Sequence, residues 1–225
     1  MTTDKLILAV PKGRILDELL PMLAECGIEP EADFSHPKSR KLQFSTNHEN
    51  LDIIRVRAFD VATFTAFGAA HIGVVGSDVI EEFDYSELYA PVDLNIGHCR
   101  LSVAMPTELS KENDYSTLSH IRVATKYPNL TRKHYAKKGI QAECIKLNGA
   151  MEIAPTLKLA RRIVDLVSTG STLKANGLEE TETIVNISAH MVVNRTALKT
   201  RPKEMKKWIQ CFRKASKTST NKAAA

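Results

Sequence analysis

The sequence predicts an α/β protein built as two lobes. Three observations carry that reading. Short apolar runs of strand character alternate with stretches of helical spacing, and they do so in two successive groups. Several of the runs empty into glycine-containing turns. The 225 residues are 43% hydrophobic and 25% charged, which suffices for a substantial globular core.

Leu6 to Val10 is apolar and ends in Pro11-Lys12-Gly13, which reads as a strand and a turn. The next segment places Ile15, Leu16, Leu19, Leu20 and Leu23 on one helical face as far as Cys26 and Gly27, with Pro21 expected to kink or interrupt the helix. LDIIRVR, residues 51–57, is a second strand, after which Val61, Phe64, Thr65 and Gly68 follow helical spacing. HIGVVGSDVIEE, residues 71–82, returns to a strand and turns at Gly76, Ser77 and Asp78 into another helix.

A second group opens near Cys99 with the strand RLSVAM, then IRVATKYP, a helix from Asn129 to Lys138, the strand AECIKL and the segment MEIAPTLKLA. The run RRIVDLV follows, with Ile163, Val164, Leu166 and Val167 expected to be buried. Residues 182–194 add β-like sequence, and a final helix sets Met205, Trp208, Ile209 and Phe212 on one face, to pack on its own lobe. The expected division is a discontinuous lobe I, residues 1–97 plus 185–225, and a lobe II, residues 98–184. The tail 215–225 is expected to be disordered. Two crossings of the chain would put the loop of Gly170 at an interlobe cleft, where ligands commonly bind.

The net charge of +5 does not signal nucleic acid. Residues 199–225 hold nine of the 31 basic residues but one of the 26 acids, Glu204, so the rest of the chain is slightly acidic. Cys26, Cys99, Cys144 and Cys211 show no CxxC pair and no histidine at metal spacing, which predicts reduced thiols and a cytoplasmic location. The short apolar run near the start fits neither a secretory signal nor a membrane span. Asn129, Asn186 and Asn194 begin chance glycosylation patterns.

The residues that point to chemistry lie at the ends of apolar runs. After Val167 come Ser168, Thr169, Gly170, Ser171 and Thr172. Glycine permits positive φ and lets backbone amides approach an anion, while the hydroxyls add donors. A helix starting there would favour a phosphate by roughly 0.3–1 kcal/mol. The plainer reading is a solvated turn. Lys12, Gly13 and Arg14 form a second cluster, Arg57 with Asp60 a third, and Asp78 a fourth, all following strands at the edge where α/β sheets assemble sites. Arg55 alternates with Arg57, so the two should share a sheet face unless a bulge intervenes. Walker and GxGxxG spacings are absent, two SxxK matches lack their companion motifs, and Asp165 lacks the second acid of the common phosphoribosyltransferase loop.

PKGR, RVRAFD, IGVVGSD, CRLSVA, RVATKYPNLT, NGAMEIAP and DLVSTGSTLKANGL, taken in order from about Leu6 to Asn194, resemble the ATP phosphoribosyltransferase family of histidine biosynthesis. The resemblance implies two lobes like a type II periplasmic binding protein. It implies a reaction in which N1 of the ATP adenine attacks the anomeric carbon of phosphoribosyl pyrophosphate and pyrophosphate leaves, with magnesium carried by the polyphosphates rather than by protein ligands. By resemblance, residues 168–172 hold the sugar 5′-phosphate, Asp165 accepts hydrogen bonds from ribose hydroxyls, and Glu152 is a second carboxylate. Lys12 and Arg57 are then the catalytic candidates, and Lys12, Gly13, Arg14, Arg57, Asp60 and Asp78 the contacts of ATP and its polyphosphate, with Asp60 orienting Arg57.

A chain of this length resembles the short form, which implies a homodimer within a hetero-oligomer that includes a regulatory subunit related to histidyl-tRNA synthetase, without nucleic acid or membrane. Two features depart from the family pattern. Lys158 and Arg161 stand where a glycine and an acid are usual, and no proline follows Asp60. Lys158, Arg161 and Arg162 read alternatively as a solvated helix face. The alternative function is a noncatalytic module that binds an anionic metabolite, but several separate cationic clusters exceed what one small anion needs.

Overall fold

The structure is a computed structural model and describes residues 5–36, 39–110 and 118–223, with side chains as far as Thr218. Contacts divide the chain into two compact units, Met1–Gly97 with Ser188–Ala225, and His98–Ile187.

In the first unit the chain forms β1 (Leu6–Pro11), α1 (Arg14–Glu25), β2 (Gln43–Ser45), β3 (Leu51–Val56), α2 (Ala58–Ala66), β4 (Ile72–Gly76), α3 (Ser77–Phe83) and β5 (Leu88–Asp93). The second unit contributes β6 (Cys99–Pro106), α4 (Thr107–Ser110), β7 (His120–Thr125), α5 (Pro128–Ala136), β8 (Gln141–Lys146), β9 (Arg162–Val167), α6 (Ser171–Ala175) and β10 (Leu178–Ile187). The chain then returns to the first unit through β11 (Ala189–Asn194), α7 (Arg195–Thr200) and α8 (Pro202–Ala223).

Among the described residues the first sheet has the order β2-β3-β1-β4-β11-β5, with β1 parallel to β3 and β4 and antiparallel pairing outside them. β1 is central and apolar on both faces. Leu6, Leu8 and Val10 enter one core cluster with α1 and α8, while Ile7 and Ala9 meet the α2 and α3 side. The second sheet has the order β10-β6-β9-β7-β8, with β9 parallel to β7 and antiparallel to β6.

α1 runs without a break through Pro21, so the expected interruption does not occur. Met22 is buried in it, whereas Leu20 is 37% exposed. On α2 the buried set is Val61, Ala62, Thr65 and Ala66, and Phe64 faces outward. The final helix packs on its own unit through Met205, Trp208, Ile209 and Phe212, each side chain stabilising by about 1.5–3 kcal/mol.

The tail, expected to be disordered from Ala215, is described as far as Ala223, and Ala224 and Ala225 lie outside the described residues. It is helical through Ala223, and Ala215 and Ser216 are buried, because the apolar face of α8 continues past Phe212 onto the core. Cys211 on α8 and Cys26 at the end of α1 form a disulfide with Cα atoms 5.6 Å apart, a separation suited to a bridge. Four reduced thiols were expected, but the fold brings two of them together. Cys99 and Cys144 are not disulfide-bonded.

Residues 182–194 divide between the two sheets at Ser188. Asn194 has a structural task there: its Oδ1 accepts from the Ala197 amide to cap α7, and its Nδ2 donates to the Thr65 and Ala66 carbonyls at 2.9 and 3.1 Å. No helix among the described residues is long and apolar enough to cross a membrane.

Candidate active site

β9 delivers the site in the second unit. Ile163, Val164 and Val167 are buried, and Asp165 lies opposite Ser102 on β6. Leu166, expected to be buried, is 39% exposed near the end of β9, although Val164 on the same face of the strand is fully buried. Gly170 then adopts φ 78° and ψ 3°, a left-handed conformation that glycine takes at little cost.

Neither the Thr169 nor the Gly170 amide donates to a protein acceptor among the described residues. Thr169 Oγ1 lies 2.9 Å from Ser171 Oγ and weakly accepts the Ser171 amide at 3.4 Å. α6, which follows, spans only Ser171–Ala175, so loop amides and hydroxyls, rather than a long helix dipole, supply the positive end.

A cavity of about 170 Å³ is lined by Glu152, Asp165, Ser168, Thr169, Gly170 and Thr172 together with apolar neighbours. Six of the seven residues expected to bind the phosphoribosyl group therefore meet at one cavity. Ser171 is not in its wall and is tied instead to Thr169. Burial pushes the Asp165 carboxyl up to about 6, and the Glu152 charge adds to the rise, against an opposing hydrogen bond from the Leu166 amide at 2.8 Å. Glu152 sits in a short 3₁₀ turn, Met151–Ile153, entered through Ala150 at positive φ.

A second arrangement braces the loop, and sequence reasoning gave it no role. Arg100 Nε donates to Glu180 Oε1 at 2.6 Å, Nη2 engages Oε2, and Nη1 donates to the Ser168 carbonyl at 3.1 Å. Glu180 also accepts from Ser102 Oγ and Thr183 Oγ1. The Arg100 guanidinium holds the Glu180 carboxyl down at about 2. Arg100 and Glu180 stand on the paired strands β6 and β10 but not opposite each other, Arg100 facing Asn186 and Glu180 facing Ala104, so their long side chains meet along the ladder, which no short motif reveals.

In the first unit, β1, β3 and β4 are parallel, so their carboxyl ends share one sheet edge, with Pro11 opposite Val56. Lys12, Gly13, Arg14, Arg57, Asp60 and Asp78 follow those ends. Gly13 has φ 89° and ψ −155°, a region essentially reserved for glycine, and forms the N-cap of α1.

Lys12 is exposed, and its amide donates to the Val56 carbonyl at 3.1 Å. Arg14 donates to the Gly97 carbonyl at 3.3 Å and lies 3.8 Å from Glu18. Arg57 caps α2 and Asp60 occupies its first turn, both exposed, with no ion pair between them among the described residues. The orienting contact expected of Asp60 is therefore absent from this conformation. Asp78, in the first turn of α3, is only 4% exposed.

Because β3 ends at Val56, Arg57 does not share a sheet face with Arg55. The Arg55 guanidinium packs 5.4 and 5.0 Å from the Phe34 and Phe44 ring centroids. The departures also resolve differently from a helix face: Lys158 and Arg161 are exposed in irregular backbone, while Arg162 is buried at the start of β9. A larger cavity, about 380 Å³, lies in the first unit beside His48, Lys207 and Trp208, but none of the expected site residues lines it. The smaller cavity is the functional candidate, since its glycine turn, unused amides and paired carboxylates converge.

Comparison with known proteins identifies the family. The family described as "HisG: ATP phosphoribosyltransferase" matches residues 57–214. An ATP phosphoribosyltransferase of Paramagnetospirillum magneticum is 62% identical over 94% of this chain and 97% of the relative. One from Rhodospirillum rubrum is 63% identical over 94% and 93%. Among solved structures, "ATP phosphoribosyl transferase (HisG:HisZ) complex from Thermotoga maritima" superposes with a TM-score of 0.78 at 30% identity, covering 95% of this chain and 99% of that one. The fold is therefore that of a periplasmic-binding-protein-like α/β protein. With near-complete coverage at this identity, the chain belongs to the ATP phosphoribosyltransferase family.

Proposed function

We propose that the chain transfers the phosphoribosyl group of phosphoribosyl pyrophosphate to N1 of the ATP adenine, the first step of histidine biosynthesis, and that Ser168, Thr169, Gly170, Ser171 and Thr172 hold the 5′-phosphate. The observation that carries the assignment is the glycine turn with two unused amides in the same cavity wall as Asp165 and Glu152. The amides and hydroxyls suit a phosphate, and the carboxylates suit ribose hydroxyls and a sugar that gains positive charge. A noncatalytic anion-binding module would use the amides but has no need of the paired carboxylates.

In the reaction the N1 lone pair forms a bond to the anomeric carbon as the carbon–oxygen bond to pyrophosphate breaks, and the bonding pair leaves on pyrophosphate. The adeninium product then loses a proton from its exocyclic amine to water. Charge moves from base and sugar to the leaving group, so fixed cations and carboxylates act by electrostatic preorganisation rather than as nucleophiles.

We assign Lys12, Gly13 and Arg14 to ATP and its polyphosphate, with Arg57 and Asp60 beside them, and give Lys12 and Arg57 the charge-stabilising role. Asp78 is the weakest of the set, given its burial. Magnesium arrives as the substrates' own complex. Magnesium bound to polyphosphate needs few protein ligands.

The assembly we infer is a homodimer joined to a HisZ-like regulatory subunit, related to histidyl-tRNA synthetase; a cytoplasmic location now rests on the biosynthetic family alone, since Cys26 and Cys211 are not reduced thiols. Support comes from the HisG:HisZ composition of the Thermotoga maritima relative. The isolated chain should then show weak activity and little inhibition by histidine, both altered by that partner. The direct test mixes the chain with ATP, phosphoribosyl pyrophosphate, magnesium and pyrophosphatase and follows the absorbance of N1-phosphoribosyl-ATP. Binding of phosphoribosyl pyrophosphate without product, in the presence of the partner, would favour the noncatalytic module.

A further inference from the structure

Arg100 stands on β6 opposite Val167, immediately before the loop. Two donors on one edge of its guanidinium, Nε and Nη2, are engaged by Glu180, and Ser102 and Thr183 donate to the same carboxylate. A guanidinium is planar and its donors are fixed in a fork. Locking that edge on Glu180 therefore fixes the plane of the remaining donors, and Nη1 donates to the Ser168 carbonyl, 3.1 Å away.

The next peptide bond converts this contact into a property of the loop. A trans peptide is planar, with its carbonyl and N–H on opposite sides, and no cis bond occurs among the described residues. Drawing the Ser168 carbonyl toward Arg100 turns the Thr169 N–H to the other side. That amide has no protein acceptor among the described residues, and Ser168, Thr169 and Gly170 line the cavity. Were the peptide to flip, the carbonyl would take the place of the N–H and present negative partial charge to a phosphate.

We propose that Arg100, braced on Glu180, is a positioning residue that holds the Ser168–Thr169 peptide with its N–H free for an anionic oxygen and its carbonyl turned away. Arg100 does not itself touch the anion. The inference rests on the reading of residues 168–172 as the phosphate loop. Glu180 is part of the device, because a guanidinium without its carboxylate could swing toward the anion or into water.

The test compares wild type with Arg100→Met, Arg100→Lys and Glu180→Gln, first checking each fold by thermal unfolding. Arg100→Met should raise KM for phosphoribosyl pyrophosphate at least ~10-fold and leave KM for ATP within about twofold, since one charge-assisted contact governs one substrate. Arg100→Lys keeps the charge but cannot span both partners, so it should fall between, as should Glu180→Gln. Those two variants decide the matter should Arg100→Met fail to fold.

Amide hydrogen exchange supplies a readout independent of turnover. Phosphoribosyl pyrophosphate should protect residues 168–172 in wild type and protect them less in the variants. Equal protection and equal KM in folded variants would overturn the role of Arg100 alone. No protection in wild type would overturn the phosphate-loop reading and this inference with it.

Discussion

The Asp165 carboxylate accepts a hydrogen bond from the Leu166 amide at 2.8 Å, yet burial and the neighbouring Glu152 push its pKa up to about 6. Ionised Asp165 is thus a cost to the empty fold. A carboxyl whose folded pKa exceeds its unfolded value contributes stability that is complete below the unfolded pKa, near 3.8, and is lost as pH rises through about 6. Asp165→Asn should therefore be more stable than wild type at pH 7–8, by on the order of 2 kcal/mol, with the gap closing toward pH 4. Urea unfolding across that range measures it. The same carboxylate must be ionised to accept ribose hydroxyls, so kcat/KM for phosphoribosyl pyrophosphate should fall below pH ~6 in wild type and start low and flat in Asp165→Asn.

The loop was legible in the sequence because its requirement is local: a glycine at positive φ, flanked by hydroxyls, directly after an apolar strand. The central strand β1 and the apolar face of α8 were legible for the same reason, since their periodicity resides in adjacent residues. What escaped depends on distant pairing. Arg100 reaches Glu180 along two paired strands, Asn194 caps a helix while tying down the end of α2, and Cys26 finds Cys211 across 185 residues. The start of the tail departs from its composition for a related reason. Its Ser, Thr and Lys content suggests disorder, whereas Ala215 and Ser216 continue a face already anchored by Phe212.

Gly170→Val should weaken phosphoribosyl pyrophosphate binding by ~10-fold or more and change ATP binding little. A Cβ here would lie 3.9 Å from Val167 Cγ1, ordinary contact, so the added atom fits. The penalty arises from φ 78°, which costs a non-glycine residue roughly 1–2 kcal/mol, and from branching beside the anion. Gly170→Ala, which carries the first burden without the second, should lie between. Unchanged affinity in a folded Gly170→Val protein, read by calorimetric titration, would remove the loop from the site.

Lys158, where the resemblance implies a glycine, has a glycine-like backbone at φ 57°. The side chain is exposed, so little packing offsets the strain. Lys158→Gly should accordingly stabilise the protein by about 0.5–1 kcal/mol, the left-handed penalty less the extra chain entropy of glycine. A denaturation midpoint equal to or below that of wild type would mean that Lys158 makes up the cost elsewhere.

The bridge between Cys26 and Cys211 joins the end of α1 to a helix that already packs on it through Trp208 and Phe212. Reduction should therefore destabilise without unfolding. Closing a loop between residues 185 apart is worth about 2–5 kcal/mol on the chain-entropy account, while the apolar contacts of α8 remain. Dithiothreitol should lower the unfolding midpoint of wild type and leave Cys26→Ser unmoved, with the Cys26→Ser midpoint matching that of reduced wild type. Catalytic activity should be the same in all three, because none of the assigned site residues contacts the bridge. Peptide mapping without reductant should recover the two segments as one linked species. If thiol alkylation instead labels both cysteines fully in the folded, unreduced protein, and reductant shifts no midpoint, α8 is held by its apolar face alone.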